Sequence, residues 1–89
     1  MADRRDGNEN TIVEVWRRLG AVWIKQARTA GFDGVLVYDG KAYIVEIKNP
    51  EYAWELTAAE SKRLLEVEGE HVAYNIVETI EDALKMIGR

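Results

Sequence analysis

A mixed α/β fold, with one four-stranded sheet flanked by helices in the order α-β-β-β-α-β-α, is predicted by three features of this 89-residue chain. The first is Asp39-Gly40 between the β-rich runs 35–38 and 42–47, a strong short-range signal for a β-hairpin. The second is a set of threonines three residues ahead of an acid, Thr11 to Glu14, Thr57 to Glu60 and Thr79 to Asp82, each leading into an apolar periodic stretch as a capped helix does. The third is the helix between the strand ending at Ile47 and the run His71–Val77. Such a crossover favours parallel pairing of the strands it joins, with a right-handed connection.

The elements follow in order. Met1 to Glu9 is polar and reads as a frayed end, so the domain spans 1–89 with 1–9 flexible. The first helix is expected from Thr11, with Ile12, Val15, Trp16 and Leu19 as its apolar stripe and Gly20 as its stop. Ala21 to Arg28 alternates apolar with polar and reads as the first strand, before a turn at Thr29-Ala30-Gly31. The hairpin completes an antiparallel meander, and Pro50 ends pairing because it has no backbone donor. The second helix runs from Thr57 to about Glu68 with Leu64, Leu65 and Val67 inward. Strand four covers His71–Val77, and the last helix buries Ile80, Ala83, Leu84 and Ile87.

The hairpin turn dictates which residues are opposed. A two-residue loop at Asp39-Gly40 pairs Tyr38 with Lys41, Val37 with Ala42, Val35 with Ile44, and Asp33 with Glu46. Side chains alternate with period two, so Asp33, Val35 and Val37 share a face with Ala42, Ile44, Glu46 and Lys48. Opposed Cβ atoms lie roughly 4.5–5.5 Å apart, where like charges repel, and an apolar face adds a desolvation penalty. A divalent cation shared by the two carboxylates removes that repulsion, and hard oxygen ligands suit Mg²⁺ or Mn²⁺.

Asp33, the hairpin, and Glu46-Ile47-Lys48 together resemble the signature of the PD-(D/E)XK nuclease superfamily, an acid followed across a hairpin by acid-any-lysine. The chain is most similar to the small stand-alone VRR-NUC type nucleases, and the likeness covers most of its length. Phe32 stands where the family usually has proline, and Glu60 roughly where related enzymes carry glutamine. The resemblance implies a restriction-endonuclease-like sheet and Mg²⁺- or Mn²⁺-dependent hydrolysis of DNA phosphodiester bonds. It also implies a structure-selective action on branched DNA by a homodimer. Asp33, Glu46 and Lys48 would be catalytic. The metal ligands would be Asp33, Glu46, the Ile47 carbonyl and the helix-one acid, Glu14. Lys62 and Arg63 would approach the phosphate backbone.

Composition bounds these expectations. The net charge of −4 argues against a purely electrostatic nucleic-acid binder. The charge is uneven, however: residues 1–30 hold six basic and four acidic residues, while 31–89 hold six and twelve. An electropositive footprint is therefore expected on the first helix and strand, through Arg4, Arg5, Arg17, Arg18, Lys25 and Arg28. There is no cysteine, and no apolar run of membrane-spanning length, so a cytoplasmic protein without a membrane partner is expected.

Each functional assignment has a plainer alternative. Glu14 and Glu60 can be helix caps, Tyr52 and Trp54 can cover the core edge rather than stack on bases, and the single His71 is structural. Asp33 can cap a turn while Glu46 pairs with Lys48 or Lys25, in which case the chain is a catalytically inactive nuclease-like module that binds DNA or a protein partner.

Overall fold

The first helix reaches further back than its apolar stripe suggests. The computed structural model describes residues 4–89, with side chains from residue 8 onward, and α1 spans Arg4–Arg18. Thr11 is thus an interior helical residue and caps nothing, which corrects the expected start. The reason is polar and tertiary. Asn8 Nδ2 donates to the carbonyls of Lys48 (2.9 Å) and Glu78 (3.3 Å), and Glu9 pairs with Lys25, contacts that hold an extra helical turn no hydrophobic pattern encodes. Of the expected flexible segment, residues 1–3 lie outside the described residues, as do the side chains of Arg4 and Arg5.

Strand β1 (Val22–Lys25) is shorter than expected, because the chain turns into a single 3-10 turn at Arg28–Ala30. Gly31 closes that turn with φ of 79°, and a Cβ there would meet the Ala59 carbonyl at 2.8 Å. Only glycine allows this close approach to the second helix. Strands β2 (Gly34–Tyr38) and β3 (Lys41–Ile47) form the expected hairpin, with Tyr38 opposite Lys41, Val35 opposite Ile44 and Gly34 opposite Val45. Asp39 and Gly40 both take positive φ, 51° and 76°, the geometry of the type I′ turn whose twist matches the strands.

Helix α2 (Ala58–Gly69) and helix α3 (Ile80–Met86) each begin with a complete capping box, Thr57 with Glu60 and Thr79 with Asp82. Between them β4 (Tyr74–Val77) pairs parallel with β3, so the sheet order is β1-β2-β3-β4 with one parallel and two antiparallel junctions. His71 sits in the turn before β4 with φ of 64°, outside the strand it was expected to open.

One sheet face, carrying Leu36, Val45, Ile47 and Val77, packs beneath α1 and α3 in a single core with Ile12, Val13, Trp16, Ala83 and Ile87. Trp16 is fully buried, and its Nε1–H donates to the Ala83 carbonyl at 3.1 Å, which locks α1 to α3. The opposite face is covered by α2, a helix none of whose residues is itself buried. There Leu65 is 72 % exposed and, on α3, Ile80 is 40 % exposed, so neither takes the inward position its spacing predicted. Val22, Ile24 and Val72 are exposed as well.

Candidate functional site

The site lies at the open end of the hairpin, where α2 closes over the sheet. β2 begins only at Gly34, and Asp33 takes over the role of its missing rung. The Asp33 amide donates to the Val45 carbonyl (2.9 Å), and its Oδ2 accepts the Ile47 amide (2.7 Å). Asp33 therefore does cap a strand end, and at the same time its charge falls close enough to Glu46 to disfavour ionisation there.

Glu46 is 2 % exposed, although it is a carboxylate. Its Oε2 lies 3.2 Å from Lys48 Nζ, while its Oε1 is buried with no hydrogen-bond partner. Burial, then the charge of Asp33, then the neighbouring Glu60 carboxyl push its pKa up to about 8. A buried acceptor left unsatisfied costs free energy comparable to a lost hydrogen bond. Glu46 thus stands in the position of a group whose partner is a proton or a cation.

Lys48, also 2 % exposed, is held between two carboxylates, with Glu60 Oε1 at 2.8 Å on its other side. Burial alone would lower the lysine pKa, but the hydrogen bond to Glu60 and the charge of Glu46 outweigh it and keep the ammonium protonated. For Glu60, burial raises the pKa and the hydrogen bonds from Lys48 and the Thr57 backbone bring it below its ordinary value. The same Glu60 oxygen that accepts from Lys48 accepts the Thr57 amide at 2.9 Å, so one atom both caps α2 and anchors the lysine. Glu60 is therefore the cap of α2 and, at the same time, the group that holds Lys48 in place. Behind this cluster the Tyr74 hydroxyl donates to the Gly31 carbonyl (2.6 Å); burial, and after it the nearby carboxylates, push its pKa up.

In front of the carboxylates opens a cavity of about 320 Å³, lined by Glu9, Lys25, Gln26, Arg28, Phe32, Asp33, Glu46, Ile47, Thr57 and Glu60. This roster corrects two expectations. Glu14 is not part of it: its side chain is 62 % exposed and pairs with Arg18 one turn along α1, at 2.7 Å. The helix-one acid at the cavity is Glu9, which was missed because it lies before the apparent helix start. Glu9 shares a helix face with Val13 and Trp16, four and seven residues on, and that spacing is the signal that was available. Lys48, expected beside the substrate, is absent from the lining and reaches the cavity only through Glu46 and Glu60.

The basic candidates divide. Lys25 and Arg28 line the cavity, and Lys25, paired with Glu9, also borders a shallower depression that includes Arg17. Arg18 points to Glu14 instead, and Lys62 is exposed on α2. Arg63 is occupied structurally: its Nε–H donates to the Ala30 carbonyl (2.8 Å), tying α2 to the 3-10 turn.

Among the described residues, no group of three or more histidine, cysteine or carboxylate side chains is placed to hold a metal ion. Nor is any described helix long and apolar enough to cross a membrane. Compared with protein-family models, curated proteins and solved structures, the chain matches none.

Proposed function

We propose that this chain is a metal-dependent DNA endonuclease of the PD-(D/E)XK kind, nearest to the stand-alone VRR-NUC nucleases, with a restriction-endonuclease-like domain. The observation that carries this reading is the orphaned Glu46 Oε1, buried at the wall of a cavity that Asp33 and Glu9 also line. An acid of this kind, next to a second acid and backed by a lysine, is what a hard divalent ion requires. Asp33, Glu46 and the Ile47 carbonyl would hold Mg²⁺ or Mn²⁺, with Glu9 in place of Glu14 as the helix-borne acid. Two carboxylates are enough, because Mg²⁺ keeps several waters and takes its remaining ligands from substrate phosphate.

A cation bound there supplies polarisation of the phosphate and a more acidic coordinated water. The chain's own residues do the rest. Lys48 offsets the charge of Glu60 and lowers the cost of ionising Glu46, whose proton a bound cation would replace. Lys25, which pairs with Glu9, and Arg28 would supply positive charge at the cavity wall, with Arg17 in the adjoining depression. A domain this small has little room for base-reading elements, which favours recognition of DNA shape, such as a branch. Val22 and Ile24, exposed on one face of the edge strand β1, are the apolar surface that a homodimer of this chain, taken as cytoplasmic, would cover.

The test is incubation with labelled branched and linear DNAs and Mn²⁺. Metal-dependent cleavage, lost in Asp33→Asn, supports the proposal; no cleavage, together with no thermal stabilisation by Mn²⁺, ends it. Light scattering that gave a monomer at micromolar concentration would remove the dimer. One observation favours the second reading, a catalytically inactive nuclease-like module: Lys48 is clamped between Glu46 and Glu60 and does not itself line the cavity. Mn²⁺ binding without cleavage of any DNA would select it.

A further inference from the structure

The loop joining β3 to α2 carries a tryptophan that the core does not use. Trp54 is 38 % exposed and stands outside the core cluster and outside the partly buried residues packed against it. Its place is nonetheless fixed at two points. The indole Nε1–H donates to Glu78 Oε2 at 3.0 Å, and the ring lies with its centroid 5.8 Å from Lys48 Nζ. The loop itself starts from a tight turn, in which buried Asn49 accepts the Glu51 amide through Oδ1 (3.0 Å) and the Tyr52 amide through its carbonyl (3.3 Å). This is a preorganised aromatic plane, held rigidly at the protein surface.

What it stands beside decides what it can bind. The Lys48 ammonium under the ring is 2.8 Å from Glu60 and 3.2 Å from Glu46, both of which line the cavity. A single ammonium therefore separates the ring from the acids that would act on phosphate. A strand whose phosphate enters the cavity carries its bases within reach of that plane. Bases inside a continuous duplex have both faces covered by their neighbours, whereas an unpaired base offers a free face, and aromatic residues bind such bases with little regard to sequence.

We propose that Trp54 is a stacking platform for an unpaired nucleobase next to the phosphate held in the cavity, so that the preferred substrate has single-stranded character at the cut. This rests on the nuclease reading above, and it is tested separately from it. The full chain, in EDTA, is titrated with oligo-dT and with a blunt hairpin duplex while tryptophan fluorescence is followed. Oligo-dT is expected to quench the emission and the duplex to quench it far less. Trp54→Leu is expected to abolish the quench and to weaken oligo-dT binding by ~5- to 150-fold, the range for loss of one stacked base. Trp54→Phe keeps a ring and is expected to retain most of the affinity, which guards against a general folding defect.

Equal oligo-dT affinity in Trp54→Leu and the parent, or quenching by neither DNA, overturns the platform. If the quench is present but Mn²⁺ produces no cleavage, the stacking site stands and the nuclease reading falls. If cleavage is present and Trp54→Leu cuts branched and single-stranded DNA as the parent does, the nuclease stands and the platform falls.

Discussion

The two faces of strand β3 differ as much as two proteins might. Val45 and Ile47 point into a core with Trp16, Leu36 and Val77, where the one polar atom on the tryptophan is satisfied. Ile44, Glu46 and Lys48 alternate with them and point the other way, where one oxygen of a buried acid lacks a partner and no residue of the covering helix is itself buried. One face maximises apolar burial, the dominant favourable term in folding. The other gives that up to hold charge in a low-dielectric place, which is costly unless something neutralises it. Stability resides on the first face and the candidate chemistry on the second, joined by a seven-residue strand.

That division can be broken from either side. The largest effect is expected on the core face. Trp16→Ala should cost about 3–5 kcal/mol, a large share of the roughly 5–15 kcal/mol of a typical domain, and urea denaturation would measure it. On the opposite face, Glu46→Gln should leave metal-free stability unchanged or higher at pH 8, yet reduce Mn²⁺-dependent cleavage by more than about 100-fold. A parallel loss of stability and activity in that variant would abolish the distinction between the faces.

Titration sharpens the same contrast. The Glu46 carboxyl holds its proton to about pH 8 in the folded chain, against 4.5 for the free group. Between those values the folded state binds more protons than the unfolded one, so the stability this group contributes is fully present below 4.5 and is lost as pH rises through 8. The slope attributable to Glu46 should reach at most about 1.4 kcal/mol per pH unit. Glu46→Gln should flatten it, and denaturation of metal-free protein at several pH values would detect the change. Glu60→Gln should have a smaller effect. The amide oxygen can still cap α2 and accept from Lys48, but the buried ammonium loses a charged partner, so stability should fall by about 1–2 kcal/mol, while removal of the charge lowers the pH midpoint of Mn²⁺ binding. The smallest effect belongs to Glu14→Ala, expected within about 0.5 kcal/mol of the parent and with unaltered cleavage. Loss of cleavage there would restore Glu14 to the site in place of Glu9.

The hairpin was legible because its signal is local. Asp39-Gly40 defines the turn and the turn defines the register as far as Gly34 opposite Val45; beyond that rung Asp33 leaves the ladder, its amide on the Val45 carbonyl and its carboxylate on the Ile47 amide. Both capping boxes at Thr57 and Thr79 were legible for the same reason. The third, at Thr11, matched the same pattern and was overridden by distant partners: Asn8 finds Lys48 and Glu78, and Glu9 finds Lys25, none within one helical turn. The misplacement of the helix-one acid follows directly from that. Inward positions on α2 failed for a related reason, since periodicity reports which residues share a stripe and not how much of the stripe finds cover. Leu64 and Val67 are half-buried, and Leu65 faces solvent. The sequence also placed Lys48 on the correct face without revealing that Glu60 would hold it back from the cavity.

The positions of the two chain ends have a practical consequence. Asn8 fastens the beginning of α1 to the carbonyls at the exits of β3 and β4, whereas the Arg89 guanidinium rests on the Tyr38 hydroxyl, next to the hairpin bend at the far end of the sheet. A purification handle or fluorophore fused after Arg89 would sit beside the hairpin bend, at the opposite end of the sheet from the acidic cavity and the aromatic loop, and would leave both accessible in binding assays.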